Sequence, residues 1–135
     1  MILADSSAWV EHLRDTGSSV CNRLNEVIDR GEPLRVTEPV VMEVLAGATG
    51  EKTVKRLKGL LGGFPLLPVD GAADFERAAS LYVDCRRGGE TVRSMIDCLV
   101  AAVAIRTGAR VLHADRDYDV LARHTALEVE PAWHQ

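Results

Sequence analysis

The sequence predicts an α/β fold: one domain, spanning residues 1–135, with a central, mainly parallel sheet flanked by helices. Three observations lead there. Short apolar runs alternate with longer stretches of helical period along the chain, the pattern of strand–helix–strand units. One segment, Ser94 to Ile105, is apolar on every side but for Asp97, which is how a helix buried within a domain reads. The length of 135 residues suffices for one sizeable core, and no shift of composition, linker or repeat marks a second.

The elements follow in order. Met1 to Ala4 is a short strand, and Asp5-Ser6-Ser7 supplies caps for a helix carrying Trp9, Val10 and Leu13. A second helix runs from Ser18 to Arg30, with Val20, Leu24, Val27 and Ile28 on one face and Gly31 as its stop. Leu34-Arg35-Val36 is the next strand. Thr37 then reads as an N-cap and Pro39 as a first-turn residue of a helix that continues through Val40–Leu45 and ends before Gly47. A polar helix over Glu51–Leu61 carries Lys52, Lys55, Arg56 and Lys58, whose charges suit a solvated face or, alternatively, a phosphate backbone. Phe64 to Val69, interrupted by two prolines, is an expected edge strand. Asp70–Arg87 is amphipathic and closes at Gly88-Gly89. After the buried helix, Gly108 is a stop, Ala109–His113 a strand, Asp117–His124 a short helix and Ala126–Val129 a last strand.

Composition excludes several classes. With 47% hydrophobic and 27% charged residues the chain is neither disordered nor membrane-spanning. The N-terminus lacks the basic opening and apolar stretch of a signal peptide, so a cytoplasmic location is expected. Cys21, Cys85 and Cys98 are odd in number and widely spaced, which fits reduced structural thiols better than a disulfide framework or a zinc site. A net charge of −4 argues at first against a nucleic-acid partner. Yet with five of the 20 acids gathered in one pocket, 15 remain against 16 bases, so RNA is not excluded.

Those five acids are the informative feature. In open parallel α/β sheets ligands bind outside the carboxyl ends of the strands. Asp5 and Asp115 both follow strongly apolar strands, so two carboxylates distant in sequence can reach one crevice, although each alone also suits a helix cap. Asp97 in the first turn of a buried helix needs a partner to offset its desolvation, either Arg93 one turn earlier or a metal ion. Glu43 flanks an apolar stripe, where it can lean toward a crevice or toward water.

On these residues the chain resembles PIN-domain ribonuclease toxins of the VapC type, the toxic half of VapBC toxin–antitoxin pairs. MILADSSAW is similar to their opening strand-Asp-Ser motif, and VTEPVVMEVLAG to their second acidic motif, with Glu43 at the acidic position. SMIDCLVAAVAIRTGARVL resembles the Asp-centred buried helix with its glycine and strand. HADRDYDVL matches the closing motif, with Asp115 and Asp117 as the acids and Tyr118 at the aromatic position. The resemblance implies a PIN fold and a metal-dependent nuclease site. Asp5, Glu43, Asp97 and Asp115 would be catalytic, Asp5, Asp97, Asp115 and Asp117 metal ligands, and Ser7 would orient metal-held water or an acidic neighbour. His113 departs from the Thr or Ser more usual there, and reads as a site contact or as a strand-end residue.

The chemistry suits the residues. Mg²⁺ and Mn²⁺ prefer oxygen ligands, and a ring of four or five acids offers them. The histidines, His12, His113, His124 and His134, show no spacing of an acid/base pair, so metal-assisted hydrolysis is the better reaction class. Arg93 and Arg116 adjoin the acidic motifs and are candidates for gripping RNA. Ser7 stands where a dehalogenase-type phosphatase would need its second Asp, and the paired acids and late Lys of a receiver domain are absent. The alternatives kept are a non-catalytic PIN-type RNA- or protein-binding module and a PIN-type DNA nuclease. The resemblance further implies a homodimer, for which Trp9 and Leu13 are interface candidates unless they face the core. It implies a VapB-type antitoxin too, placing an Arg among the carboxylates and a helix in an apolar groove for which Trp9, Val10, Val41 and Leu45 are candidates.

Overall fold

A computed structural model of the chain describes residues 1–132, so His134 lies outside the described residues. The elements are β1 (Ile2–Ala4), α1 (Ser6–Leu13), α2 (Ser19–Asp29), β2 (Leu34–Arg35), α3 (Glu38–Ala46), α4 (Glu51–Leu61), α5 (Gly71–Arg87), α6 (Met95–Thr107), β3 (Arg110–Leu112) and α7 (Arg116–His124). The sheet runs in the order β2-β1-β3, and both pairings are parallel. Leu3 is the centre of the register, opposite Arg35 on one side and Val111 on the other. Parallel neighbours need crossover connections, and the helices between the strands supply them.

Two expected strands shrink to single bridges among the described residues, Val36 with Leu66 and Val111 with Val129, both parallel. The chain at Leu66 lies between Pro65 and Pro68, which have no N–H to donate, so pairing stops after Leu67 N donates to Val36 O at 2.7 Å. At the other edge Glu130 N donates to Val111 O at 2.8 Å, and the run goes no further.

Local chemistry sets the helix ends. The Asp5 carboxylate caps α1, Ser18 caps α2 by accepting from Cys21 N at 3.1 Å, and Asp115 caps α7. Thr37 stands at the expected N-cap of α3 but makes no side-chain cap bond; Pro39 in the first turn needs none. Gly108 ends α6 with φ of 74°, a left-handed conformation that a side chain would strain.

The core lies between the sheet and its helices, and α6 passes through it with every residue from Asp97 to Ala104 buried. The thiols of Cys21, Cys85 and Cys98 are buried and unbridged, as expected. Trp9 is wholly buried and belongs to the core, which removes it as an interface or groove residue, whereas Leu13 is 40% exposed. The two are four apart and share a face of α1, so the difference lies in position along the helix: Trp9 packs against Phe64, while Leu13 is its last residue. On α4 the buried residues are Leu57 and Leu61, and the lysines sit on the solvated face. Among the described residues no helix is long and apolar enough to cross a membrane.

Candidate metal centre

Asp5 leaves β1 and its backbone N–H donates to Leu112 O at 2.9 Å, tying the carboxyl ends of the central strand and β3 together. Its carboxylate is held on both oxygens. Oδ2 accepts from Ser7 N at 3.0 Å and from Ser7 Oγ at 2.7 Å, while Oδ1 accepts from the Tyr118 hydroxyl at 2.7 Å. Ser7 Oγ also accepts from Ala114 N at 2.9 Å, so one hydroxyl fixes Asp5 against the loop that carries Asp115. The acidic neighbour that Ser7 contacts is thus Asp5.

Asp97 occupies the first turn of α6 and faces Asp5 across the Tyr118 hydroxyl, which lies 3.2 Å from its Oδ1. Its other oxygen, Oδ2, is buried and accepts no hydrogen bond from any of the described residues. A bare buried carboxylate oxygen is costly. Burial first, then hydrogen bonding of the protonated form with Asp117, then repulsion from Asp5, Asp115 and Asp117 push the Asp97 carboxyl up to about 9. The chain without a cation thus relieves the crowding with a proton.

Three further acids complete the cluster. Glu43 leans from α3 into the crevice, where its Oε1 accepts from Ser6 Oγ at 3.0 Å. Burial raises its pKa, the Ser6 hydrogen bond opposes that, and repulsion from Asp5 and Asp115 adds to the rise. Asp115 Oδ1 accepts from Asp117 N at 2.9 Å and from the Arg93 guanidinium at 3.0 Å. Asp117 is buried beneath the loop, accepting from the backbone N–H groups of Arg93 and Ser94, each at 3.2 Å, and from Arg93 Nε at 3.3 Å. Burial alone would raise Asp117, but hydrogen bonds from protonated Asp97 and from Arg93 together hold it below the usual carboxylate range.

Asp5, Glu43 and Asp97 can present ligand oxygens that all lie within 4.8 Å of one another, and Asp97, Asp115 and Asp117 form a second such group. Asp97 belongs to both. The cleft they surround has a volume of about 340 Å³ and is also lined by Ser6, Ser7, Ser94 and Ala114. An all-carboxylate donor set with an orphaned buried oxygen at its centre fits a hard divalent cation of the Mg²⁺ or Mn²⁺ kind.

Three expectations are resolved by this geometry. Arg93 does not partner Asp97; it precedes α6 and its side chain runs outward to Asp115 and Asp117, whereas Asp97 points inward at Asp5 and Tyr118. Its guanidinium is therefore engaged by carboxylates instead of standing free, while Arg116 is exposed and makes no ion pair among the described residues. His113 is buried beneath the cleft floor: Nδ1 accepts from Asp115 N at 3.2 Å, Nε2 lies 3.5 Å from Asp119, and the ring packs 5.1 Å from that of Tyr118. Its contact with the site is therefore with the Asp115 backbone and the Tyr118 ring.

Two contributors went unassigned in the sequence, the Ser6 hydroxyl and the Tyr118 hydroxyl. For Tyr118 a signal existed, because a tyrosine buried at the start of a helix must find a partner for its O–H, and acids are its neighbours in HADRDYDVL. Beside the cleft, α1, α3 and α4 enclose a groove of about 260 Å³, lined by Val10, Leu13, Val44 and Leu57 with Arg14 and Arg56 at its edge. Glu43 lines both hollows, so the groove leads into the acidic cleft. Val41 and Leu45 pack against the core instead, and of the four expected lining residues only Val10 is among those that line it.

Comparison with known proteins agrees with this architecture. The family profile described as "PIN domain" matches residues 2–124. Ribonuclease VapC11 of Mycobacterium tuberculosis is 48% identical over 129 residues, covering 95% of this chain and 96% of that protein. Among solved structures, FitAB bound to an IR36 DNA fragment superposes with a TM-score of 0.76 at 24% identity, covering 100% of this chain and 97% of the other. VapBC2 from Rickettsia felis, bound to a DNA fragment from its promoter, gives 0.73 at 15% identity with both chains covered in full.

Proposed function

The chain belongs to the PIN-domain family, and from that premise we propose that it is a metal-dependent endoribonuclease, a cytoplasmic toxin of the VapC type restrained by a small antitoxin. The observation that carries the reading is the convergence of Asp5, Glu43, Asp97 and Asp115 on one cleft, with Asp117 behind Asp97 and Asp115 and with Asp97 Oδ2 accepting no hydrogen bond. RNA as substrate is supported by the relative named a ribonuclease at 48% identity.

Asp5, Asp97 and Asp115 are the residues to hold Mg²⁺ or Mn²⁺, with Asp117 behind them. When bound, such an ion supplies Lewis acidity to the phosphodiester and lowers the pKa of water toward neutrality. Ser7 keeps Asp5 in one orientation through its two hydrogen bonds to Oδ2. Glu43, with Oε1 occupied by Ser6 and a raised pKa, keeps its second oxygen to take the proton of an attacking water. Arg116 is the better phosphate contact, since Arg93 is already spent on Asp115 and Asp117.

A cluster of close carboxylates is also a target for a guanidinium, whose planar fork satisfies several acceptors at once. Arg93 already uses that chemistry within the chain. An antitoxin of the VapB type would bring a second Arg into the cleft and lay a helix along the adjoining groove on Val10, Leu13, Val44 and Leu57. The named VapBC2 complex among the structural neighbours supports such a partner. A homodimer, with Leu13 as an exposed apolar contributor, completes the proposal.

The test is cleavage of matched single-stranded RNA and DNA by the purified chain, with EDTA and with Mg²⁺ or Mn²⁺ restored. RNA alone should be cut, and only with the ion. Equal cutting of DNA would replace the substrate assignment with a DNA nuclease; no cutting of either would favour a non-catalytic binding module; chelator-resistant cutting would overturn the metal mechanism.

A further inference from the structure

Tyr118 is fully buried in the first turn of α7, and its hydroxyl stands between the two innermost carboxylates, 2.7 Å from Asp5 Oδ1 and 3.2 Å from Asp97 Oδ1. Burying a tyrosine hydroxyl beside two acids is costly unless it serves them, because an unpaired O–H in the interior forfeits its hydration. Here the O–H is within reach of both. It has one proton, given to Asp5 in the shorter contact and available to Asp97 by rotation about the C–O bond. It therefore ties one of the two carboxylates at a time to α7, while the other faces the same oxygen.

The consequence lies in which oxygens remain. Asp5 Oδ2 is taken by Ser7, so Asp5 is restrained at both ends, and with Oδ1 of Asp97 facing the hydroxyl the oxygen that accepts nothing is Oδ2. We propose that the Tyr118 hydroxyl is a positioning group of the metal centre: standing between Oδ1 of the two acids and donating to one of them at a time, it turns both of these oxygens toward α7 and leaves Asp97 Oδ2 to take the cation. The ring is itself fixed, packed 5.1 Å from His113, whose Nδ1 accepts from Asp115 N. The buried layer of His113 and Tyr118 therefore links the backbone of one expected ligand to the side chains of two others. The inference rests on the carboxylate cluster being the metal site.

Groups that orient metal ligands from behind typically change affinity by roughly 10–100-fold when removed. Tyr118→Phe keeps the ring packing and deletes only the hydroxyl. Calorimetric titration of the full chain with Mn²⁺, without RNA, should show the Phe variant binding about 10-fold or more weakly than wild type. Its RNA cleavage should recover as Mg²⁺ is raised, which a purely structural role would not produce. Mn²⁺ affinity within about twofold of wild type overturns the proposal while leaving the metal site intact, provided Asp97→Asn loses binding. If Asp97→Asn binds as wild type does, or wild type does not bind, the cluster reading falls and takes this inference with it. Should the Phe variant fail to fold, wild-type protein labelled at tyrosine ¹³Cζ answers the question, because Tyr82 and Tyr118 are its only tyrosines. The Tyr118 resonance should shift on titration with Mg²⁺; indifference to saturating Mg²⁺ overturns the proposal.

Discussion

Replacing Asp97 by Asn should make the metal-free protein more stable while destroying its response to metal. The sign follows from the carboxyl, raised from an ordinary 3.8 to about 9, first by burial, then by hydrogen bonding to Asp117 and by its acidic neighbours. Between those values the folded chain holds a proton that the unfolded chain has released, so its stability falls as the pH rises through that window and levels off above it. At about 1.36 kcal/mol per unit, the deficit at pH 7 is roughly 4 kcal/mol, and at pH 5 between about 1 and 2 kcal/mol. Asn imitates the protonated acid and has no deficit. In EDTA at pH 7 its melting temperature should exceed that of wild type by on the order of 10 °C, at about 3–5 °C per kcal/mol for a chain of this size. The gap should narrow markedly at pH 5. Mn²⁺ should raise the melting point of wild type but not of the variant. Thermal unfolding by circular dichroism reads all three; an Asn variant that melts at or below wild type in EDTA, or a gap unchanged at pH 5, would refute the reasoning.

Other substitutions probe the frame around the site. Ser7→Ala removes the hydroxyl's hydrogen bond to Asp5 and the acceptor for Ala114 N, leaving the Ser7 backbone bond to Asp5 in place, and should lower the rate of RNA cleavage by about 10-fold or more without unfolding the chain, as steady-state assays and a melting curve would show. Asp74 is buried on α5; burial would raise its pKa, but hydrogen bonds from Arg106, the Asp70 backbone and Arg77 outweigh that and lower it. Asp74→Asn should therefore cost about 1–3 kcal/mol in urea unfolding at neutral pH. That cost should vanish as the pH falls below the ordinary carboxylate range, because the Asp74 contribution is lost as the acid is protonated. At Gly88 an added Cβ would come 2.3 Å from His124 Nδ1, and that ring is held by Glu90 at 2.9 Å. Gly88→Ala should accordingly destabilise by about 1–3 kcal/mol, measured as a lower urea midpoint.

Much of this architecture was legible because the decisive signals are local. A strand as apolar as Met1–Ala4 followed by a capping Asp, and a helix whose one charge is Asp97, carry their meaning within a few residues. The parallel direction of the strands followed from the same alternation, whereas their order, β2-β1-β3, is set by the fold. What escaped depends on residues brought together only by folding. Glu43 was ambiguous because its direction is decided by Ser6, which lies on α1. Spacing offers Arg93 as one of two partners for Asp97, the other being a metal ion, but its backbone and side chain both turn to Asp117, a group 24 residues away. Trp9 was legible as apolar and not as core or surface, since that depends on which face of α1 meets Phe64. The edge strands were overestimated because a β-like composition does not reveal that prolines leave room for only one bridge.

The central claim is that Asp5, Asp97 and Asp115, backed by Asp117, hold a catalytic divalent cation. Crystals of the free chain soaked with Mn²⁺ and measured at the manganese absorption edge test it most directly. The account predicts an anomalous peak in the cleft with Asp97 Oδ2 and an oxygen of Asp5 or Asp115 among its ligands. A cleft with no peak at saturating Mn²⁺, or a peak coordinated by residues outside this cluster, would contradict it.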